Sequence, residues 1–167
     1  KKRYICLNEL LIMAWRRFSG ELLKLPLLDE IQLVLIEEQE HKIKVCIGTD
    51  SQIKGNEVEF ATAIVFIREG KGGFLFHNSY LVPNKMSIKE RMIQEVADSV
   101  KVAYEICPVL EAYNIELELH VDINTNPEFR SNVALKEAMG YILGMGYTFR
   151  AKPDAFASSY CANKMVK

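Results

Sequence analysis

The sequence predicts an α/β protein: a mixed five-stranded sheet with its elements in the order βββαβαβα, flanked by helices and preceded by a two-helix extension. Three observations carry this. Three β-rich runs between residues 43 and 82 are separated only by Lys54-Gly55-Asn56 and by Gly70-Lys71-Gly72-Gly73, and turns that short join antiparallel neighbours. Ser-Ile-Lys-Glu at 87–90 has the form of a capping box and opens a long amphipathic segment. Residues 115–124, IELELHVDIN, alternate apolar and polar without a break, and helix, strand and helix signals follow them.

The 167 residues suit one domain with a substantial core, and 49% apolar with 26% charged residues excludes disordered and collagen-like classes. The boundaries read as a helical extension over 1–40 and a sheet domain over 41–167. Cys6, Cys46, Cys107 and Cys161 lie far apart without a C-x-x-C pair, so they read as free thiols of a reducing cytoplasm and give no support to a zinc knuckle. No apolar run approaches the roughly 20 residues that span a bilayer. The start, KKRYICLNELLIMAW, places a basic cluster before an apolar run, but Asn8 and Glu9 interrupt it. Leu7, Leu10, Leu11, Ala14, Trp15 and Phe18 fit an amphipathic helix better than a secretion signal. The net charge of −1 argues against a nucleic-acid coat of the histone kind. Its distribution is uneven. Residues 1–24 hold six basic and two acidic residues, as do residues 130–167, while the middle holds nine and eighteen. Solvated helix faces explain that pattern, and so do basic ends that hold a polyanion around acids that bind metal.

Taken in order, Pro26 permits a second helix from about Leu27, with Ile31, Val34 and Leu35 as its apolar side. The strand at 43–52, IKVCIGTDSQ, puts Ile43, Val45 and Ile47 on one face and Lys44, Cys46, Gly48 and Asp50 on the other. An acid at position 50 is not expected in a buried core. VEFATAIVFI and FLFHNSYLV supply the next two strands, leaving the first near the centre of the sheet. The capped helix is expected to run to about Ile106, before Pro108. Its stripe is Met92, Val96, Val100 and Ala103, with Glu95 about 95° and Glu90 about 125° from the stripe's centre. Because Glu90 closes the capping box, Glu95 is the better site residue and Glu90 the alternative. The 115–124 strand is half-buried by its alternation and ends its polar face on His120, Asp122 and Asn124. Val133, Leu135, Ala138, Met139 and Ile142 support a helix closing at Gly144 or Gly146, residues 147–150 a short strand, and AFASSYCANK a final helix after Lys152-Pro153-Asp154.

The phrases IGTDSQ, HVDIN and KPDAFASSYCANK resemble those of the YkuK family, predicted RNase H-related proteins of bacteria, over roughly residues 27–167. The element order is that of the RNase H-like fold. The resemblance implies catalytic acids on the first strand, the first core helix, the fourth strand and the last helix: Asp50, Glu95, Asp122 and Asp154. It also implies that these four hold two divalent metal ions, Mg2+ or Mn2+. The chemistry explains the acids, because two hard ions about 3.5–4 Å apart can activate a water and stabilise a leaving oxygen, and carboxylates suit such ions. Without metal the acids would repel one another, a cost that a structural role does not explain.

The implied activity is metal-dependent nuclease action on RNA, RNA-DNA hybrid or structured DNA. The alternative is a weakly active or inactive nucleic-acid-binding regulator with the same fold. An ATPase is disfavoured, since the chain lacks a glycine-rich phosphate loop and a second domain. Ser51 and Gln52 are candidates to contact phosphate or orient Asp50. Asn124, Lys152, Ser158, Ser159, Asn163 and Lys164 are candidates for substrate binding around Asp122 and Asp154, against a plain reading as capping or solvated residues. His120 reads either as a proton shuttle beside Asp122 or as a packing residue. No cysteine has a histidine partner in sequence terms, so none reads as a nucleophile.

Overall fold

The structure, a computed structural model, describes residues 14–83 and 85–166. Six strands form one sheet: β1 (Arg16–Arg17), β2 (Ile43–Lys54), β3 (Glu57–Arg68), β4 (Gly72–Val82), β5 (Glu116–Asn124) and β6 (Thr148–Lys152), in the spatial order β1-β4-β3-β2-β5-β6. The meander β2-β3-β4 is antiparallel, as its short turns dictate, whereas β5 and β6 lie parallel to β2 because helices carry the chain back across the sheet. The helices are α1 (Leu27–Glu37), α2 (Ile88–Ala112) and α3 (Leu135–Gly144). The chain ends in a π-helical turn, Ala157–Ala162, that runs on as α4 (Asn163–Val166).

The sixth strand corrects the sequence reading. Over residues 14–18, where a first helix is expected to end, the chain is not helical; Arg16 and Arg17 pair with His77 and Phe76 at the free edge of β4. Tertiary contacts override local periodicity here. Trp15 is buried, and Arg17 bonds Glu30 at 2.9 Å while lying over the Phe76 ring. The remainder of that expected helix falls outside the described residues. The second expected helix is α1, whose Leu27, Ile31, Val34 and Leu35 enter the main core.

Helix α2 also departs from expectation, because it continues through Pro108 to Ala112. A proline inside a helix costs about 3 kcal/mol. Here Pro108 is exposed, and the following turn buries Leu110 against the core, which offsets that cost. Its start is a complete capping box: Ser87 Oγ accepts from Glu90 N–H at 3.2 Å, and Glu90 accepts from Ser87 N–H at 2.7 Å. At the other end of the chain, α3 stops where Gly146 adopts a φ of 82° and Tyr147 N–H returns to the Ile142 carbonyl at 3.2 Å.

The apolar core lies between the helices α1, α2 and α3 and one face of the sheet, with Val45, Ile47, Ile64, Phe66 and Leu119 contributed by the strands. The opposite face carries a smaller cluster, in which Cys46, Ala63, Val65 and Leu75 meet Ala157 and Ala162 of the terminal helix. Gly48 permits this approach. A Cβ there would lie 2.3 Å from Ser158 N.

That second layer also corrects the picture of β5 as half-buried. Glu118 and His120, on its polar face, are 4% and 1% exposed because the terminal helix covers them. Burial by itself would raise the Glu118 pKa, but hydrogen bonds from Lys44, Arg150 and His120 outweigh it and hold the carboxyl at about 2. Lys44 Nζ sits at 2.7 Å and Arg150 Nη2 at 3.2 Å.

Candidate active site

Strands β2 and β5 pair side by side from Lys44/Glu116 to Thr49/Val121 and then part. Asp50 is the first residue of β2 past that fork, and Asp122 the first of β5. The fork lies at the carboxyl ends of parallel strands, where α/β sheets commonly place their ligands. The site therefore follows from strand register, with the acids at the point where neither strand fills the gap.

Helix α2 reaches the fork from the core side. Its buried Glu95 accepts from Ser51 Oγ at 2.5 Å, and Arg91, one turn earlier, donates to Ser51 Oγ at 2.9 Å and to the Ser51 carbonyl at 3.1 Å. The helix register thus places Glu95 at the fork and leaves Glu90 exposed in the cap, its pKa lowered by the Ser87 hydrogen bonds. Arg91 Nε is buried and has no acceptor among the described residues.

The terminal helix reaches Asp122 from the other side. Ser159 Oγ donates to Asp122 Oδ1 at 2.5 Å, and Lys152 Nζ lies 2.8 and 3.0 Å from its two oxygens. Asp50 itself is 6% exposed, contrary to the expectation that an acid there stays out of the interior. Burial, followed by the charge of Asp122, pushes its pKa up to about 6, against opposing contributions from the Ser51 N–H, Lys152 and Arg91. Burial and then the Asp50 charge raise Glu95 well above the ordinary carboxylate range. The Asp122 charge thus disfavours ionisation of both Asp50 and Glu95, and the Asp50 charge adds to the effect on Glu95.

The remaining candidates lie outside this group of acids. Asp154 lies exposed on the turn after β6, its N–H bonded to the Ala151 carbonyl at 3.0 Å, and its charge acts on Arg150. Gln52 is exposed and opposite Glu59 in the β2–β3 register. Asn124 accepts from Asn126 N–H at 2.9 Å. Asn163 sits at the junction of the π turn and α4, and Lys164 Nζ lies 4.8 Å from the Phe18 ring centroid. The expectation that Ser158 contacts substrate is corrected: it is fully buried against Gly48, and its Oγ donates to the Ala155 carbonyl at 3.0 Å.

His120 is occupied as well. Its Nδ1 accepts from Ala157 N–H at 3.2 Å, which leaves Nε2 to carry the proton toward Glu118 at 3.3 Å, and Phe156 packs edge-on at 4.7 Å. This is the packing role of the two considered. With Cys46 and Glu118 it brings three potential ligand atoms within 4.8 Å. Lys44 and Arg150 already neutralise that carboxylate, and burial pushes the Cys46 thiol up to about 12. The trio suits an internal ion-pair network better than a divalent ion.

Sequence reasoning missed Arg91. Arg91 had a usable signal, since it precedes Glu95 by four residues and so shares its helix face.

The ribonuclease H-like family profile matches residues 27–167. The chain belongs to the ribonuclease H-like family. A relative from Bacillus subtilis (strain 168), the uncharacterized protein YkuK, is 28% identical over 135 residues, which cover 72% of this chain and 77% of that protein. No solved structure matches. The mixed sheet with helices on both faces is consistent with the RNase H-like fold, with one strand more than the sequence predicts. Membership extends the match to α1 and suggests a nuclease-type function, nucleic-acid binding and a use for divalent metal. No helix among the described residues is long and apolar enough to cross a membrane.

Proposed function

We propose that the protein is a metal-dependent nuclease that hydrolyses phosphodiester bonds at the β2–β5 fork. The observation that carries this reading is the convergence of Asp50, Glu95 and Asp122, from three separate elements, on one spot where the Asp122 charge disfavours ionising Asp50 and Glu95 and the Asp50 charge disfavours ionising Glu95. Such a group of hard oxygen donors fits divalent cations. Asp50, Glu95 and Asp122 would hold such ions, with Asp154 the further acid from the terminal turn. When bound, two Mg2+ or Mn2+ ions supply an activated water and neutralise charge on the leaving oxygen.

The chain's own groups account for the rest. Ser51 holds the Glu95 carboxylate in place, Arg91 offsets the negative charge on the α2 side, and Ser159 orients Asp122. Lys152 balances Asp122 and lies where a phosphate oxygen can compete for its ammonium group. Free Cys46, Cys107 and Cys161 suit a reducing, cytoplasmic setting. Labelled RNA, RNA-DNA hybrid and branched DNA incubated with Mg2+ or Mn2+ test the reading. Cleavage by the wild type and its loss in Asp50→Asn are expected. Equal cleavage by both removes this site from the chemistry.

The exposure of Asp154, together with the engagement of both Asp122 oxygens by Lys152 and Ser159, favours a second reading: a nucleic-acid-binding protein of low turnover. Binding without cleavage in the same assay supports it.

A further inference from the structure

Three of the residues singled out in the sequence, Asn124, Lys152 and Ser159, join Thr125, Pro153 and Tyr160 around one cavity of about 270 Å³ beside Asp122. Small-molecule pockets commonly span roughly 300–1,000 Å³. A space just below that range has room for about one nucleotide.

The lining has two kinds of group. Asn124 uses its amide oxygen to accept from Asn126 N–H at 2.9 Å, which makes the Nδ2 end its open one, and that end is a donor. Lys152 adds an ammonium group at the same wall. Both suit an anion or a sugar hydroxyl. The aromatic component is Tyr160, 72% exposed.

Its position is built rather than incidental. Ser158 is locked under Gly48, Ser159 is tied to Asp122, and Tyr160 follows them on the π turn, which turns its side chain out toward the cavity. π turns inside helices are frequent at functional sites. An exposed aromatic ring beside cationic donors is the combination on which single-stranded nucleic acids stack.

We propose that this cavity is a single-nucleotide subsite, in which Tyr160 stacks on an unpaired base while Lys152 and Asn124 hold its phosphate and sugar. The inference rests on the nucleic-acid reading above and gives that reading a substrate class: a strand that is unpaired next to the reacting acids, whether a free single strand, a frayed end or a loop. A base inside a duplex has both faces covered by its neighbours and cannot offer one to Tyr160.

The test measures binding without chemistry. Fluorescence anisotropy in EDTA compares a labelled oligouridylate with a blunt duplex of the same length, for wild type, Tyr160→Ala and Tyr160→Phe. The wild type is expected to prefer the single strand. Tyr160→Ala is expected to weaken that binding about tenfold, and Tyr160→Phe, which keeps the ring, to stay within twofold. Because Tyr160 is exposed, folding of the variants is expected to be unaffected, and matching circular dichroism melts check this. A wild type without preference for the single strand, or a Tyr160→Ala variant within twofold of it, overturns the subsite. The nuclease reading stands or falls separately, on Asp50→Asn in the cleavage assay.

Discussion

Asp50 shows how a single residue's chemistry follows from its place in the sheet. It is the first position of β2 past the last β2–β5 pair, so its carboxyl is enclosed by protein yet has no β5 residue paired beside it. A carboxyl whose pKa is pushed to about 6 by burial and by Asp122 gains much from a cation. Asp50→Asn is therefore expected to weaken Mn2+ binding and to reduce cleavage on the order of 100-fold or more, since even the groups that support metal ligands are worth about 10–100-fold. Calorimetric titration with Mn2+ and single-turnover cleavage measure the two effects; unchanged Mn2+ affinity would remove Asp50 from the ligand set. Lys152 should act in the opposite sense. It occupies both oxygens of Asp122 and competes with any metal, so Lys152→Met is expected to tighten Mn2+ binding roughly twofold to fivefold, the worth of a part-exposed ion pair of about 0.4–1 kcal/mol. Weaker Mn2+ binding in that variant would show that Lys152 supports the ion.

At the scale of elements, periodicity made most of the fold legible and failed where a distant contact decides the outcome. Strands β2, β3, β4 and β5 were legible because their alternation and their Gly turns are local properties. The helix carboxylate was nearly so, since the Ser87–Glu90 box fixes the start of α2 and with it the angle of Glu95. By contrast, β1 exists only because β4 offers an open edge to Arg16 and Arg17, and α2 passes Pro108 because Leu110 has core to fill. The burial of Glu118, His120 and Ser158 was hidden for the same reason: it depends on the terminal helix lying against the sheet. Gly48 is the residue that allows this contact. Gly48→Ala would drive a Cβ into the backbone of Ser158, for which the neighbouring chain cannot compensate by a side-chain rotation. A loss of about 1–3 kcal/mol, typical of overpacking, is expected in urea unfolding. Displacement of Ser159 from Asp122 should lower cleavage with it. An unperturbed midpoint would mean that the terminal helix rides on the sheet loosely.

For the whole molecule, stability and the site are linked through protons. Asp50 binds its proton more tightly in the folded protein than in the unfolded chain, because its pKa is raised from 3.8 to about 6. The folded state therefore holds the extra proton between those values, and stability falls as pH rises from about 4 to about 6 and stays lower above. Glu95, raised in the same direction, extends the loss upward in pH. Glu118 works in reverse. Its pKa of about 2 lies below the ordinary 4.5, so its contribution is present above that value and is lost as pH falls toward 2. Without metal, these groups together place the most stable condition in the mildly acidic range. A divalent ion bound at the acids adds stability through mass action only where the carboxyls are ionised. Urea unfolding at mildly acidic and mildly alkaline pH, each with EDTA and with Mn2+, should thus show a small Mn2+ effect in acid and a larger one in alkali. Asp50→Asn should flatten the decline in EDTA and shrink the Mn2+ increment together, because both arise from the same carboxyl. If the variant loses the increment but keeps the full decline, the pH dependence belongs to Glu95 and the metal affinity to Asp50, and the two acids divide the work between the strand and the helix.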